Sequence, residues 1–371
     1  MKIVFVAPRL NTDGPINQLY DLIHNLMDTG LEMSIITLYS EKQGNTQIGR
    51  FEDLGIKVDS LKSEGRMHLL TISRKLRVKL DEIKPDIVHS ETLPADLAMS
   101  RIHGRKYHWV STIHGDIYSD YMTRFDHKYA KLFIRMHEKA IAGMDLAAAC
   151  SESICSIYQE KFGDKILSIQ NGIEVPEYRE RKEPEIMRFR LENGMAADKK
   201  VLIVVGSITE RKNSLFIVES LKNHLKDNNW QLVFLGTGNM LESCRKAAEG
   251  YDIVFKDKVN NVRDYLYASD VFISASLSEG LPLSVLESGS SGLRMVLSDI
   301  LQHKEISMYD GDSGIEYFAS GNSEDLIRAV KKQLSGNTRS QTVRDYYEEH
   351  FSAKNMALKY LDFYKNAEAA R

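Results

Sequence analysis

Two carboxylates, Glu279 and Glu287, sit in the phrase Ser276-Leu-Ser-Glu279-Gly280-Leu281-Pro282-Leu283-Ser284-Val-Leu-Glu287-Ser-Gly-Ser-Ser-Gly292. Ionised glutamate is acceptor-only, so each can take a pair of hydrogen bonds from neighbouring hydroxyls, as on a sugar ring or a ribose. The apolar run Val271-Phe-Ile-Ser-Ala275 predicts a buried strand ahead of them, and Pro282 predicts a helix start that Gly292 ends. Glu279 then falls in a strand-to-helix loop, and Glu287 lies one to two turns into the helix. Backbone N–H groups around Leu281, Leu283 and Ser284, at the positive end of the helix dipole, suit a phosphate or pyrophosphate. Phosphate donors beside diol acceptors point to a nucleotide sugar. A plainer reading stays open, in which Glu279 only favours a helix N-terminus and Glu287 is solvated.

Further candidates follow other apolar runs. Val201-Leu-Ile-Val-Val205 predicts a strand, and Gly206-Ser207-Ile-Thr-Glu-Arg211-Lys212-Asn213 after it places two cations at a strand's carboxyl end. Arg211 and Lys212 there can neutralise a diphosphate leaving group as charge builds on it; a solvated pair is the alternative. Leu232-Val-Phe-Leu235 leads into Gly236-Thr-Gly238, where bare backbone can approach a nucleotide. Gly14, in Asn11-Thr-Asp-Gly14-Pro15, closes a loop that opens a helix; phosphate contact and a plain turn are both open. His114 follows the apolar strand ending Val110-Ser-Thr-Ile and can donate or accept a hydrogen bond, or be structural. Asp310-Gly-Asp312 spells D-x-D, but Asp-Gly-Asp-Ser-Gly reads as a turn with no further metal ligands beside it.

The phrase Glu279-Gly-Leu-Pro-Leu-x-x-x-Glu287, with Ser-Gly-x-x-Gly and an apolar strand after it, resembles the E-x7-E signature of retaining glycosyltransferases of the family-four type, which have the GT-B fold. The resemblance implies that Glu279 contacts the donor sugar, that Glu287 holds the nucleotide ribose, that Gly14 lies beside the diphosphate and that His114 faces the sugar. It also implies that no divalent metal is required and that the leaving phosphate helps deprotonate the acceptor. Two departures are visible. Ser207 stands where the family has an arginine on the diphosphate, so Arg211 is the expected replacement beside Lys212, and Arg294 stands where the family has a proline.

The chain is long enough for two domains at roughly 150 residues each. Its 371 residues carry a formal charge of −3, which gives no general field for nucleic acid. The three cysteines, Cys150, Cys155 and Cys244, show no metal or disulfide spacing. With a short apolar start broken at Pro8, a reducing cytoplasm is expected. Strands near Lys2–Ala7, 33–38, 56–59, 86–90, 108–113 and 145–149 alternate with helical patterns, so an α/β fold is expected. The resemblance makes this two Rossmann-like, doubly wound parallel-sheet domains facing a cleft. Domain limits read as 1–175 (acceptor side), a charged, proline-bounded linker 176–197, 198–350 (nucleotide-sugar side), and 351–371 as a C-terminal helix crossing back to the first domain.

Helical patterns over 67–83 and 124–143 are basic on one face, with Lys128, Lys131, Arg135 and Lys139 in the second. A solvated helix face, an anionic acceptor and peripheral contact with an anionic membrane, at the inner face of the cell membrane, are all open. The expected activity is that of a retaining hexosyltransferase moving a sugar from a nucleotide sugar, UDP-linked by family frequency, to a glycan or lipid-linked hydroxyl. Capsule, lipopolysaccharide or other bacterial cell-envelope polysaccharide biosynthesis is the expected setting. A nucleotide-sugar epimerase or a non-catalytic nucleotide-sugar-binding protein of the same fold is the alternative.

Overall fold

The computed structural model describes residues 1–42, 44–63 and 68–369, with side chains except those of 68–70 and 124. Met67 of the expected 67–83 helix and the last two residues of the expected terminal helix lie outside the described residues, as does the side chain of Arg124. The chain forms two compact units, Met1–Glu174 with Ala353–Arg371, and Val175–Ser352.

In unit 1 the described strands are β1 (Lys2–Ala7), β2 (Glu32–Thr37), β3 (Lys57–Ser60), β4 (Ile87–Glu91), β5 (His108–Ile113), β6 (Leu146–Ala149) and β7 (Ile166–Ser168). They lie in the order β3-β2-β1-β4-β5-β6-β7, all parallel, so both faces need cover. The alternation of β1 supplies it: Val4 and Val6 join a core with Trp109 and Tyr158, while Ile3, Phe5 and Ala7 face the opposite way. That second face is closed by the helix Gly14–Leu26 and by the helix Ala353–Ala369, whose Met356, Tyr360, Phe363 and Tyr364 are buried. The C-terminal helix therefore belongs to the first unit although it ends the chain.

In unit 2 the described strands are β8 (Lys200–Val205), β9 (Trp230–Leu235), β10 (Ile253–Lys256), β11 (Val271–Ser274), β12 (Met295–Ser298) and β13 (Ile315–Phe318), in the order β10-β9-β8-β11-β12-β13. Both sheets thus run outward from their first strand and then restart on its other side at the fourth.

Two expectations are corrected. The helix predicted over 124–143 starts three residues later, as His127–Gly143, because Phe125 takes extended backbone; a separate helix, Ile117–Arg124, precedes it. Residues 176–197, read as a linker, lie within unit 2 and carry the helix Glu183–Glu192. Ile186 of that helix packs on Tyr267 and Ala268. Its buried Arg190 reaches Asp270 Oδ2 at 2.7 Å and donates to the carbonyls of Ala268 and Lys199. Arg181 adds a second guanidinium 3.0 Å from Asp270 Oδ1. A charged stretch looks like a linker in sequence because the carboxylate that anchors it is about 80 residues downstream.

Removing one partner of a buried ion pair leaves an uncompensated charge, so Asp270→Ala is expected to cost unit 2 about 3–5 kcal/mol in urea unfolding. A change near zero would show that this anchor does not hold the segment.

Candidate functional site

The candidate residues of unit 2 gather where β8 and β11 lie side by side, the point at which the sheet reverses its direction of growth. Loops leaving such a point diverge, and open α/β sheets bind ligands there. Glu279, in the loop after β11, is 5% exposed, and both its oxygens are engaged. Oε1 accepts from Lys212 Nζ at 2.5 Å and from Ser276 Oγ at 2.6 Å, and Oε2 accepts from Arg211 Nη1 at 2.7 Å. Burial would raise this carboxyl, but the charges of Lys212 and Arg211, with the hydrogen bonds from Lys212 and Ser276, hold it at about 2. The backbone reinforces the link: Leu277 N donates to Arg211 O, and Arg211 Nη1 also donates to Ser278 O at 2.6 Å. Ser207, where the family arginine is missing, is exposed.

Gly236 and Gly238 are placed by contact with this same loop. A Cβ at Gly236 would stand 2.0 Å from Gly206 O, and one at Gly238 would stand 2.1 Å from Ile208 O. The close backbone approach that requires these glycines is therefore to the β8 loop, with Ile208 N donating to Thr237 O at 3.0 Å.

Pro282 is the N-cap of the helix Leu283–Ser290 rather than its first residue. Its carbonyl accepts from Val285 and Leu286, while the N–H groups of Leu283 and Ser284 have no acceptor among the described residues. Glu287, a turn further on, is half-buried, and its carboxylate has no hydrogen-bond partner among the described residues. Burial pushes it up to about 7, against the pull of Arg263.

In unit 1 the corresponding reversal lies between β1 and β4. Gly14 is the first residue of its helix rather than part of a loop, and Asp13 caps that helix, accepting from Ile16 N at 3.3 Å. His114 follows β5, and its Nε2 lies 2.6 Å from Oε2 of Glu91, the last residue of β4. Glu91 is fully buried, which raises its carboxyl; the His114 imidazole pulls the other way.

Residues 13–176 match the family described as Glycosyltransferase Family 4, and residues 199–335 match Glycosyl transferases group 1. The chain belongs to the family-four glycosyltransferases. An uncharacterised glycosyltransferase of Methanocaldococcus jannaschii is 24% identical, over 93% of this chain and 92% of that one. The UDP-Gal:α-D-GlcNAc-diphosphoundecaprenol α-1,3-galactosyltransferase of Escherichia coli is 30% identical, over 37% of each. The crystal structure of Anabaena HepE in complex with UDP and glucose covers 99% of this chain and all of its own, with a TM-score of 0.82 at 14% identity. The fold of this glycosyltransferase is GT-B.

Sequence reasoning missed several residues of the site. Glu91 ends a strand and carries no local signal; its partner His114 comes from the next strand over. Ser276, one serine among several in its stretch, carries no local sign of its bond to Glu279. His303 is fully buried, with Nδ1 2.8 Å from Ser298 O and Nε2 lacking a partner. Burial lowers it to about 4, the Glu279 charge opposing this and that of Lys212 adding to it. A lone histidine in Leu301-Gln-His303-Lys-Glu gives no sequence cue to that neighbourhood. Asp312 is held by Arg294 at 2.7 Å and by Gly314 N at 3.0 Å, so the D-x-D is a turn closed by the arginine that replaces the family proline.

Folded glycosyltransferase holds the Glu287 proton where the unfolded chain has released it. Stability therefore falls as pH rises from 4.5 to about 7 and is level above that. Glu287→Gln is expected to melt higher than wild type at about pH 8, by roughly 2–4 °C for each kcal/mol recovered, and to match it at about pH 4.5. Equal melting at both pH values would show that the carboxyl is not held protonated.

Proposed function

We propose that this glycosyltransferase moves a sugar, with retention at the anomeric carbon, from a UDP-sugar to a hydroxyl of a lipid-linked or cell-envelope glycan. The observation that carries this reading is the pair Arg211 and Lys212 held on buried Glu279, four residues ahead of a helix start whose Leu283 and Ser284 N–H groups have no acceptor among the described residues. Two cations and a helix N-terminus suit a departing diphosphate, whose charge grows as the glycosidic bond breaks. When phosphate oxygens take the cations, Glu279 is released to accept hydrogen bonds from sugar hydroxyls. Glu287, once ionised, accepts from the ribose diol; in unit 1, His114 is read as a hydrogen-bond partner for a sugar hydroxyl.

The leaving phosphate receives the acceptor's proton, so no side chain need be a nucleophile and no divalent metal is called for. Gly236 and Gly238 hold the loop of Arg211 and Lys212 in place. The donor and acceptor named for the Escherichia coli relative, and the UDP bound by Anabaena HepE, support the choice of substrate class.

A lipid-linked acceptor also fits the surface of unit 1. Met122, Phe125, Tyr129 and Leu132 are exposed, beside exposed Lys128, Lys131 and Arg135. Apolar groups flanked by cations suit an anionic membrane surface, at about 1 kcal/mol per basic residue. No helix among the described residues is long and apolar enough to cross a membrane.

Nucleoside diphosphate release from a panel of UDP-, GDP- and ADP-sugars tests the donor site. Release is expected from a UDP-sugar, unchanged by EDTA, and lost in Glu279→Gln. Lys212→Ala and Arg211→Ala should each slow it by roughly 10²–10³-fold. Full activity in Arg211→Ala with loss in Lys212→Ala would remove Arg211 from the diphosphate. Product that remains a nucleotide sugar would replace transfer by epimerisation.

The surface is tested by sedimentation with vesicles. Binding to phosphatidylglycerol but not to pure phosphatidylcholine is expected, weakened by salt and lost when Lys128, Lys131 and Arg135 are changed to Glu. Equal sedimentation with both lipids would overturn the charge argument.

A further inference from the structure

The end of β4 carries costs that packing alone does not explain. Thr92 has φ +66, a left-handed conformation that a β-branched residue adopts at roughly 1–3 kcal/mol. Immediately before it, Glu91 is fully buried, stands at the N-cap of the helix Thr92–Met99, and makes no capping bond with its side chain. Its Oε1, 3.4 Å from His89 Nε2, has no hydrogen-bond partner. Only Oε2 is used, on His114 Nε2 at 2.6 Å.

The surroundings keep this carboxyl for His114. His89 is also fully buried, and it is committed elsewhere, Nδ1 to Tyr364 at 2.7 Å and Nε2 to Thr112 at 2.9 Å. Burial, with the His114 charge, lowers His89 to about 3, so it is neutral and offers Glu91 no counter-charge. Asp96 is held by Ser90, Ser111 and His137. Asp96 and Asp13 act on Glu91 only as like charges, and Tyr360 and Tyr364 approach it from the C-terminal helix as neutral phenols. His114, by contrast, keeps some exposure, and its Nδ1 has no partner among the described residues.

We propose that Glu91 is a positioning residue for His114: its carboxylate accepts a hydrogen bond from Nε2–H, fixing the ring so that Nδ1 is presented as the acceptor for a substrate hydroxyl. This rests on the reading of His114 as a sugar contact. A strained backbone and a half-satisfied buried carboxylate are then the cost of orienting one imidazole. The chemistry recognised at Nδ1 is a hydroxyl donor, so a sugar lacking that hydroxyl would leave the nitrogen unpaired.

The test combines the tautomer of one ring with turnover. In 15N-histidine-labelled protein, with the His114 signals assigned by their loss in His114→Asn, wild type should carry the ring proton on Nε2, and Glu91→Leu, which removes its acceptor, should lower the Nε2–H share. A proton on Nδ1 in wild type, or the same tautomer ratio in both proteins, overturns the proposal, and this readout needs no substrate. Glu91→Gln and His114→Asn should each slow nucleoside diphosphate release by about tenfold or more, in the range of a lost positioned hydrogen bond. The double variant should be no slower than His114→Asn alone, and Glu91→Asp should recover part of the rate. Multiplicative losses would mean that Glu91 acts independently of His114 and would overturn it. A changed tautomer ratio in a protein that releases nucleotide from no donor would leave the Glu91–His114 coupling standing and remove the transferase reading instead.

Discussion

Burying a carboxylate costs several kcal/mol unless cations and hydrogen bonds replace its water, and Glu279 meets that requirement with Lys212, Arg211 and Ser276. The consequence is mechanical as well as electrostatic. Arg211 and Lys212 arrive on the loop after the first strand of the sheet, Glu279 on the loop after the fourth, and the ion pairs lock the two loops across the point where the sheet reverses. Gly236 and Gly238, packed against the carbonyls of Gly206 and Ile208, press on the same loop from its other side. Donor recognition as proposed here uses groups that are already held in place, with Glu279 serving as the counter-ion that a diphosphate would displace.

The two units solve a common problem in related ways. Each sheet restarts at its fourth strand, and each places a buried glutamate at or just beyond that strand's end, Glu91 in unit 1 and Glu279 in unit 2. Unit 2 gives its glutamate two permanent cations, so the carboxyl stays ionised down to about pH 2. Unit 1 gives its glutamate one imidazole and leaves an oxygen unsatisfied, so the carboxyl is raised by burial. The first arrangement stores fixed charge, and the second couples a carboxylate to a group able to exchange a proton.

Much of the architecture was legible because its signals are local. Apolar runs announced β1, β5, β8 and β11, and the spacing of Ile16, Leu19, Ile23 and Leu26 announced the first helix. Where neighbours in space are far apart in sequence, local reading failed. The charged stretch 176–197 read as a linker because Asp270 was not visible as its partner, and Phe125 gave no cue that it separates the helix His127–Gly143 from another before it. Glu91 read as one residue of a strand end, since nothing within several positions of it shares its hydrogen bond.

What the sequence by itself determined is the class of the protein: two α/β halves, a strand-to-helix loop bearing Glu279 and Glu287, and a cationic loop bearing Arg211 and Lys212. Those features follow from periodicity, turn chemistry and residue type, which act over a few residues. Tertiary structure decided which charges meet. It set Glu279 on both cations, left Glu287 half-buried with no hydrogen-bond partner among the described residues, closed the D-x-D with Arg294, and joined Glu91 to His114. The physical reason is that a buried charge is governed by whatever lies within a few ångströms, and in a parallel sheet those neighbours are chosen by strand order rather than by distance along the chain.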